Sequence, residues 1–272
     1  MKHKSISETS ARILASLSEK GKTWFSLQEV FTLLKDMSDV HIRLQLKRMT
    51  EAGLLMWVCE GVYYLVPYEQ DSQTFMPDWH LLAEPLVGGE HYIGYYSALQ
   101  IHNLITQPSL KEQIVINHRI KPSIKIIKDI KFQFIYHNPN HFFGFKKAWI
   151  DSFNKVFCSD LEKTMIDCLF KPDYAGGIVE IAKAIYIAKD KINYNQLLDY
   201  AIRFDSQAVI KRLGYLLELL SIPTPIIEEL QKLRSSSITT LDTETPKQGK
   251  ILTRWSIQQN VETETIKNAI IT

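Results

Sequence analysis

The sequence has 272 residues, with 32 Lys plus Arg against 30 Asp plus Glu, 45% hydrophobic and 11% aromatic content, and 3 cysteines. A formal charge of +2 excludes a uniformly basic, nucleic-acid-coating protein, so any nucleic-acid contact must come from a local face. Cys59, Cys158 and Cys168 contain no CxxC pair, which argues against a disulfide framework or zinc knuckle and fits a reducing cytoplasm.

The N-terminus enters an amphipathic segment without a signal-peptide core, and the apolar runs fall short of the roughly 20 residues of a membrane span. The expectation is a cytoplasmic protein with no membrane segment. From Ser7 to Lys20, Ala11, Ile13, Leu14 and Leu17 recur at helical spacing, with Gly21 as the stop. Ser26 followed by Glu29 forms a capping box, predicting a second helix to about Lys35. Ser38 caps a third helix through about Ala52, and Gly53 ends it. Leu54–Val58 and Val62–Val66 flank the turn Cys59-Glu60-Gly61 and read as a hairpin. Three helices and a hairpin within residues 1–70 match the winged helix-turn-helix plan.

Asp71 to Asp78, with Pro77, reads as a linker over 71–78, and a second domain is expected over 79–272. Tyr95–Leu104 has a helical pattern. Ile114–Asn117, Ile124–Ile127, Lys131–Tyr136 and part of Trp149–Phe157 are strand candidates, making 79–158 mixed α/β. Residues 159–234 are mainly helical: Asp160–Phe170, Gly177–Ala188, Tyr194–Phe204, Ser206–Leu220 and Pro225–Leu233, punctuated by Pro172, Gly176-Gly177 and Pro223. Over 235–272, a Ser/Thr-rich excursion to Lys250 precedes a strand within Ile251–Asn260. The predicted fold class is α+β: a winged helix-turn-helix followed by a mixed and then largely helical C-terminal domain.

In the third helix Ile42, Leu46 and Met49 make an inward stripe. His41, Gln45 and Arg48 follow one step around, flanked by Arg43 and Lys47. An apolar back and a front of Arg, Gln and Lys suit a helix in the major groove, where Arg reads guanine, Gln reads adenine and Lys meets phosphate. The alternative is an ordinary charged face on a protein-interaction module. Lys22 and Thr23, before the second helix, and Lys2 and Lys4 are candidates for phosphate contact or simple solvated surface. Glu60 in the wing turn weighs against a strong wing contact. Near-zero net charge implies few contacts per protomer, and so dimeric or cooperative binding to repeated half-sites.

Ser159-Asp-Leu-Glu-Lys-Thr-Met-Ile-Asp-Cys-Leu-Phe-Lys-Pro-Asp-Tyr-Ala-Gly-Gly-Ile178 and Lys211-Arg-Leu-Gly-Tyr-Leu-Leu-Glu218 resemble the AbiEi family of antitoxins. Tyr95–Leu104 and the closing Arg254-Trp255 to Asn260 also look like that family, so the resemblance spans most of the chain. It implies a winged helix that binds inverted repeats in its own promoter and represses it. It also implies a C-terminal antitoxin domain countering a nucleotidyltransferase-like toxin, without a stable complex being required. Within the motifs Asp160 can cap a helix, Glu162 lies in its first turn, and Met165, Ile166 and Leu169 form a buried stripe. Lys163, Asp167, Lys211, Arg212 and Glu218 are left as polar residues that could line a common, toxin-facing surface; charge pairs holding helices together are the alternative.

A metal-dependent nuclease is the enzymatic alternative. Asp129-Ile-Lys131 has the carboxylate-x-lysine spacing such enzymes use around Mg²⁺, but Lys121, Lys125 and Lys128 make it read more simply as a basic strand edge. His137 and His141 are interrupted by Pro139, and no HExxH, Walker, GxGxxG or GxSxG motif occurs. Cys168 falls on an apolar helix face. The expectation is a non-enzymatic protein with no cofactor and no metal.

Overall fold

The computed structural model describes residues 6–105 and 107–271; Lys2 and Lys4 lie outside them. Ser7 accepts a hydrogen bond from the Ser10 amide at 3.2 Å and starts α1 (Glu8–Glu19). After β1 (Trp24–Ser26), the Ser26–Glu29 capping box is fully formed and starts α2 (Leu27–Leu33). Ser38 then caps α3 (Asp39–Glu51). Strands β2 (Leu55–Cys59) and β3 (Val62–Leu65) form the hairpin, and β1 pairs antiparallel with β3, giving the order β1-β3-β2. With three residues, β1 is too short to show alternation in sequence. Ile13, Leu17, Phe25, Val30, Ile42, Leu46 and Met49 share one core, so the 3.6-residue stripes of α1 and α3 meet as their spacing requires.

This first compact unit runs to Gly89. The expected linker at 71–78 and the expected start of the second domain therefore belong to it. Phe75 is buried with its ring 6.1 Å from that of Tyr64, and a 3-10 turn (Trp79–Leu82) leads into α4 (Ala83–Val87), which packs near β1. Polar and proline residues in this stretch mark a turn in the chain, while its apolar residues anchor it.

The second unit, from Glu90 onward, opens with β4 (His91–Ile93) and α5 (Tyr95–Ile101), then β5 (Lys111–Ile116), β6 (Ile124–Ile127), β7 (Ile130–Tyr136), β8 (Phe145–Trp149) and β9 (Lys155–Ser159). These strands make a six-stranded mixed sheet in the order β6-β7-β5-β4-β9-β8. The β5–β7 and β4–β9 pairs are parallel; β6–β7, β4–β5 and β8–β9 are antiparallel. Trp149–Phe157, expected to hold one strand, instead spans a hairpin, because Asp151 builds a turn in its middle.

The helical part comprises α6 (Leu161–Phe170), a 3-10 turn (Pro172–Tyr174), α7 (Gly177–Ala188), α8 (Tyr194–Phe204), α9 (Gln207–Leu219) and α10 (Ile226–Leu233). All five helices fall where their periodicity predicts. The closing segment is more structured than expected: β10 (Thr239–Thr240), β11 (Ile251–Leu252) and β12 (Ile257–Gln258) form a small sheet, followed by α11 (Thr263–Ile271). Leu241, Trp255, Ile257 and Ile266 enter the main helical core, so 235–272 is an integral layer of the unit. Among the described residues no helix is long and apolar enough to cross a membrane.

Candidate nucleic-acid interface and a buried polar cluster

Helix α3 is held by its inner stripe: Ile42, Leu46 and Met49 are each at most 1% exposed. Its outer face presents His41, Arg43, Lys47 and Arg48, all exposed. Arg43 lies over the Phe31 ring at 5.4 Å, Lys47 makes a solvent-exposed pair with Glu51 at 3.8 Å, and His41 Nδ1 is 3.2 Å from the Ser38 hydroxyl. An exposed ion pair such as Lys47–Glu51 contributes about 0.2–1 kcal/mol, so the Lys47 ammonium is cheaply diverted to another anion. Val40 and Leu44 are also exposed, adding apolar reach of the sort a thymine methyl accepts.

Three of the sequence candidates around α3 are otherwise engaged. The Gln45 amide donates to Ser7 Oγ and Ser10 Oγ, both at 2.8 Å, and so ties α3 to the start of α1; it does not front the helix as its spacing suggested. The Lys22 ammonium pairs with Glu29. Partial burial works to raise the Glu29 carboxyl, but Lys22 and the Ser26 amide and hydroxyl together hold it below the usual range. Lys22 thus secures the capping box of α2. Thr23 is exposed, with its hydroxyl bonded to Tyr64. Glu60 is exposed at the hairpin turn, as expected, next to Gly61 at φ +71°.

The second unit contains a cluster that the sequence did not reveal. On α6, Lys163 and Asp167 sit one turn apart, form an ion pair and are each 0% exposed. Tyr92 from β4 donates to Asp167 Oδ2 at 3.0 Å and accepts from Lys163 Nζ at 3.0 Å. His137 lies between two phenols, its Nδ1 3.2 Å from Tyr92 Oη and its Nε2 2.7 Å from Tyr95 Oη. Tyr92 spends its proton on Asp167, so the consistent tautomer carries the His137 proton on Nδ1 and accepts from Tyr95 at Nε2. Burial, reinforced by the Lys163 charge, pushes His137 down to about 2, keeping the ring neutral. The Lys163 ammonium also lies 5.3, 5.1 and 5.1 Å from the rings of Tyr92, Phe143 and Phe204.

Burial lowers the Lys163 pKa and raises that of Asp167; their mutual attraction opposes both shifts. Such a sealed pair gains from Coulomb attraction in low dielectric and loses comparable hydration. Sealed in this way, Lys163 and Asp167 do not line a surface. The neighbouring acids are also engaged: Asp160 caps α6 and accepts from Tyr200 at 2.9 Å, and Glu162 accepts from the Asn193 amide at 2.7 Å, at the start of α8.

Lys211 and Arg212 are likewise interior, at 0% and 3% exposure. Lys211 donates to Ser235 and Ser237. Arg212 donates to the carbonyls of Leu169, at 2.7 Å, and Phe170, at 3.3 Å, satisfying the end of α6, and to that of Thr240 on β10, at 2.8 Å. Burial lowers the Arg212 pKa to about 10. Glu218 is partly exposed; it accepts from Arg254 Nε and Trp255 Nε1, both at 2.7 Å. Beneath it, a Cβ added at Gly214 would stand 2.1 Å from the Trp255 ring. The expected common surface of Lys163, Asp167, Lys211, Arg212 and Glu218 is therefore replaced by separate structural contacts. Helical spacing fixes where such residues stand on their own helix, but not what packs over them.

Asp129 sits in the exposed β6–β7 turn and Lys131 is exposed on β7. Among the described residues no group of three or more His, Cys, Asp or Glu could hold a metal ion. His141 stacks on Phe204 at 3.7 Å. Burial pushes the Cys158 and Cys168 thiols up, leaving both poor nucleophiles.

No family model matches the sequence, and no curated protein does so either. Among solved structures the chain is similar to the crystal structure of the RV2827C protein from Mycobacterium tuberculosis. The TM-score is 0.71 and the identity 11%, over 100% of this chain and 97% of that one. The TM-score establishes a shared fold along the whole length, and identity this low says nothing about activity.

Proposed function

We propose that the protein is a DNA-binding transcriptional autorepressor of a toxin–antitoxin operon, with its first unit a winged helix-turn-helix. The observation that carries the reading is the outer face of α3, where His41, Arg43, Lys47 and Arg48 are all exposed on a helix fixed from behind by a buried stripe. The supporting context is the succession α1-β1-α2-α3-β2-β3 with sheet order β1-β3-β2, which is compatible with a winged-helix plan and supports reading α3 as its recognition helix. Arg43 and Arg48 reach base edges, Lys47 meets phosphate, and Val40 and Leu44 offer apolar contacts.

The AbiEi resemblance supplies the rest of the proposal: the second unit is an antitoxin domain that counters a nucleotidyltransferase-like toxin, and the operator carries inverted repeats. Because the resembling residues Lys163, Asp167, Lys211 and Arg212 are interior, they act by shaping this unit, and any toxin contact falls on other side chains.

A mobility-shift titration on the gene's own upstream DNA, with scrambled competitor, tests the reading. The expected result is specific, stepwise shifts that weaken with salt. Arg43→Ala/Arg48→Ala should weaken operator binding by about 1–3 kcal/mol per arginine, relax sequence preference and abolish repression, while Lys47→Ala lowers the log–log salt slope by about 0.9 and the full-length arginine variant still rescues cells from the neighbouring toxin. Equal affinity for operator and scrambled DNA would remove the repressor assignment, and loss of rescue by a variant that folds normally would remove the division of labour.

A further inference from the structure

The charge of +2 hides an uneven distribution: between Arg119 and Lys155 the sequence holds eight Lys or Arg against two Asp. Part of this excess lies on the β8–β9 hairpin, at one edge of the six-stranded sheet. Its cross-strand pairs Lys147↔Phe157 and Trp149↔Lys155 alternate lysine with aromatic on one face. The Lys147 ammonium is 5.4 Å from the Phe157 ring centroid and that of Lys155 is 4.1 Å from Trp149. Lys146 is exposed on the opposite face of the same strand.

The tip is built to hold its shape. Asp151, the hairpin's single carboxylate, accepts from the amides of Phe153 and Asn154 at 2.7 Å each, and from the Asn154 side chain at 2.8 Å. It is thereby committed to the turn. Phe153 is left 90% exposed and Trp149 60% exposed.

Large flat rings held out to water beside Lys147 and Lys155, with Lys146 exposed on the other face of the same strand, are chemically matched to a partner with phosphates and accessible base faces. In a duplex the base faces are hidden in the stack; in a single strand they are open to aromatic side chains. Lys155 covers one face of Trp149, leaving the other for a base. We propose that the β8–β9 hairpin binds single-stranded nucleic acid, with Trp149 and Phe153 stacking on bases and Lys146, Lys147 and Lys155 contacting phosphates. The proposal is independent of the role assigned to α3.

The test is fluorescence anisotropy of the full-length protein with labelled oligouridylate and oligothymidylate of about 12 nucleotides, within the range of single-strand site sizes. Binding at low salt is expected, with a log–log salt slope of about −2 for three phosphate contacts. Trp149→Ala/Phe153→Ala should weaken binding by at least about 30-fold, and Lys147→Gln/Lys155→Gln should reduce the slope to about −0.7. Arg43→Ala/Arg48→Ala should leave single-strand binding unchanged. Four results would overturn the proposal: no binding at low salt, unchanged binding by a folded aromatic variant, equal competition by a duplex of the same sequence, or loss of binding in the α3 variant. Self-association of the protein that disappears in Trp149→Ala/Phe153→Ala, without oligonucleotide binding, would assign the hairpin to a protein interface instead.

Discussion

Arg43 and Arg48 on α3 and Lys163 and Arg212 in the second unit are all cations on amphipathic helices, yet their surroundings divide them completely. The first pair stands in water, with weak contacts such as Arg43 over Phe31. Lys163 and Arg212 are at most 3% exposed and bonded to a carboxylate or to backbone carbonyls. An exposed cation costs the fold little and is available to a ligand, whereas a buried one is committed to the interior and its loss strands a partner. Residue type therefore says less about role than the packing over it.

The sharpest way to break this comparison is Asp167→Ala. It leaves the Lys163 ammonium buried without its counter-ion, and unfolding titrations should show a loss of about 3–5 kcal/mol. The double variant Lys163→Met/Asp167→Leu should recover most of that loss, because well-packed apolar residues replace a buried pair at little cost; failure to recover would mean that the pair itself is required. Acid offers a second test. With His137 at about 2 when folded and about 6.5 when unfolded, the unfolded chain binds the extra proton between those values. This contribution is fully present above about pH 6.5 and is lost as pH falls, at about 1.4 kcal/mol per unit. His137→Asn should make the acid limb of a stability–pH curve shallower by one proton. A smaller effect, about 1 kcal/mol, is expected for Gln45→Ala, which loses the tie to Ser7 and Ser10; unchanged stability together with altered binding in the mobility-shift titration would return Gln45 to the residues proposed to contact DNA. Least affected should be Arg43→Ala/Arg48→Ala, each change within about 0.5 kcal/mol of neutral; a large drop in melting temperature would place these arginines in the structural class.

Elements with their own local signals were legible in the sequence. The Ser26–Glu29 box, the Ser38 cap and the stripes of α6 to α10 all specify helices through residues close in the chain. What escaped depends on distant partners. Strands β1 and β4 have three residues each and exist through pairing with β3 and β5. The hairpin at Asp151 needs one carboxylate to organise two amides, and Gln45 is claimed by hydroxyls of another helix. Of the candidate sites, the α3 stripe and its exposed cations could be read from spacing, while the Tyr92–His137–Lys163–Asp167 cluster could not. Its members come from β4, the segment after β7, and α6, and nothing in their separation announces that they meet.

Gly214 and Trp255 carry a consequence for how this sequence can change. The ring occupies the space a side chain at 214 would need, approaching to 2.1 Å, and Glu218 holds its indole nitrogen in place. A lineage that gained any side chain at 214 would first pass through a clash, and one that lost the indole first would pass through a void. In this packing a side chain at 214 fits only together with a smaller residue at 255, so the two positions can change only as a pair.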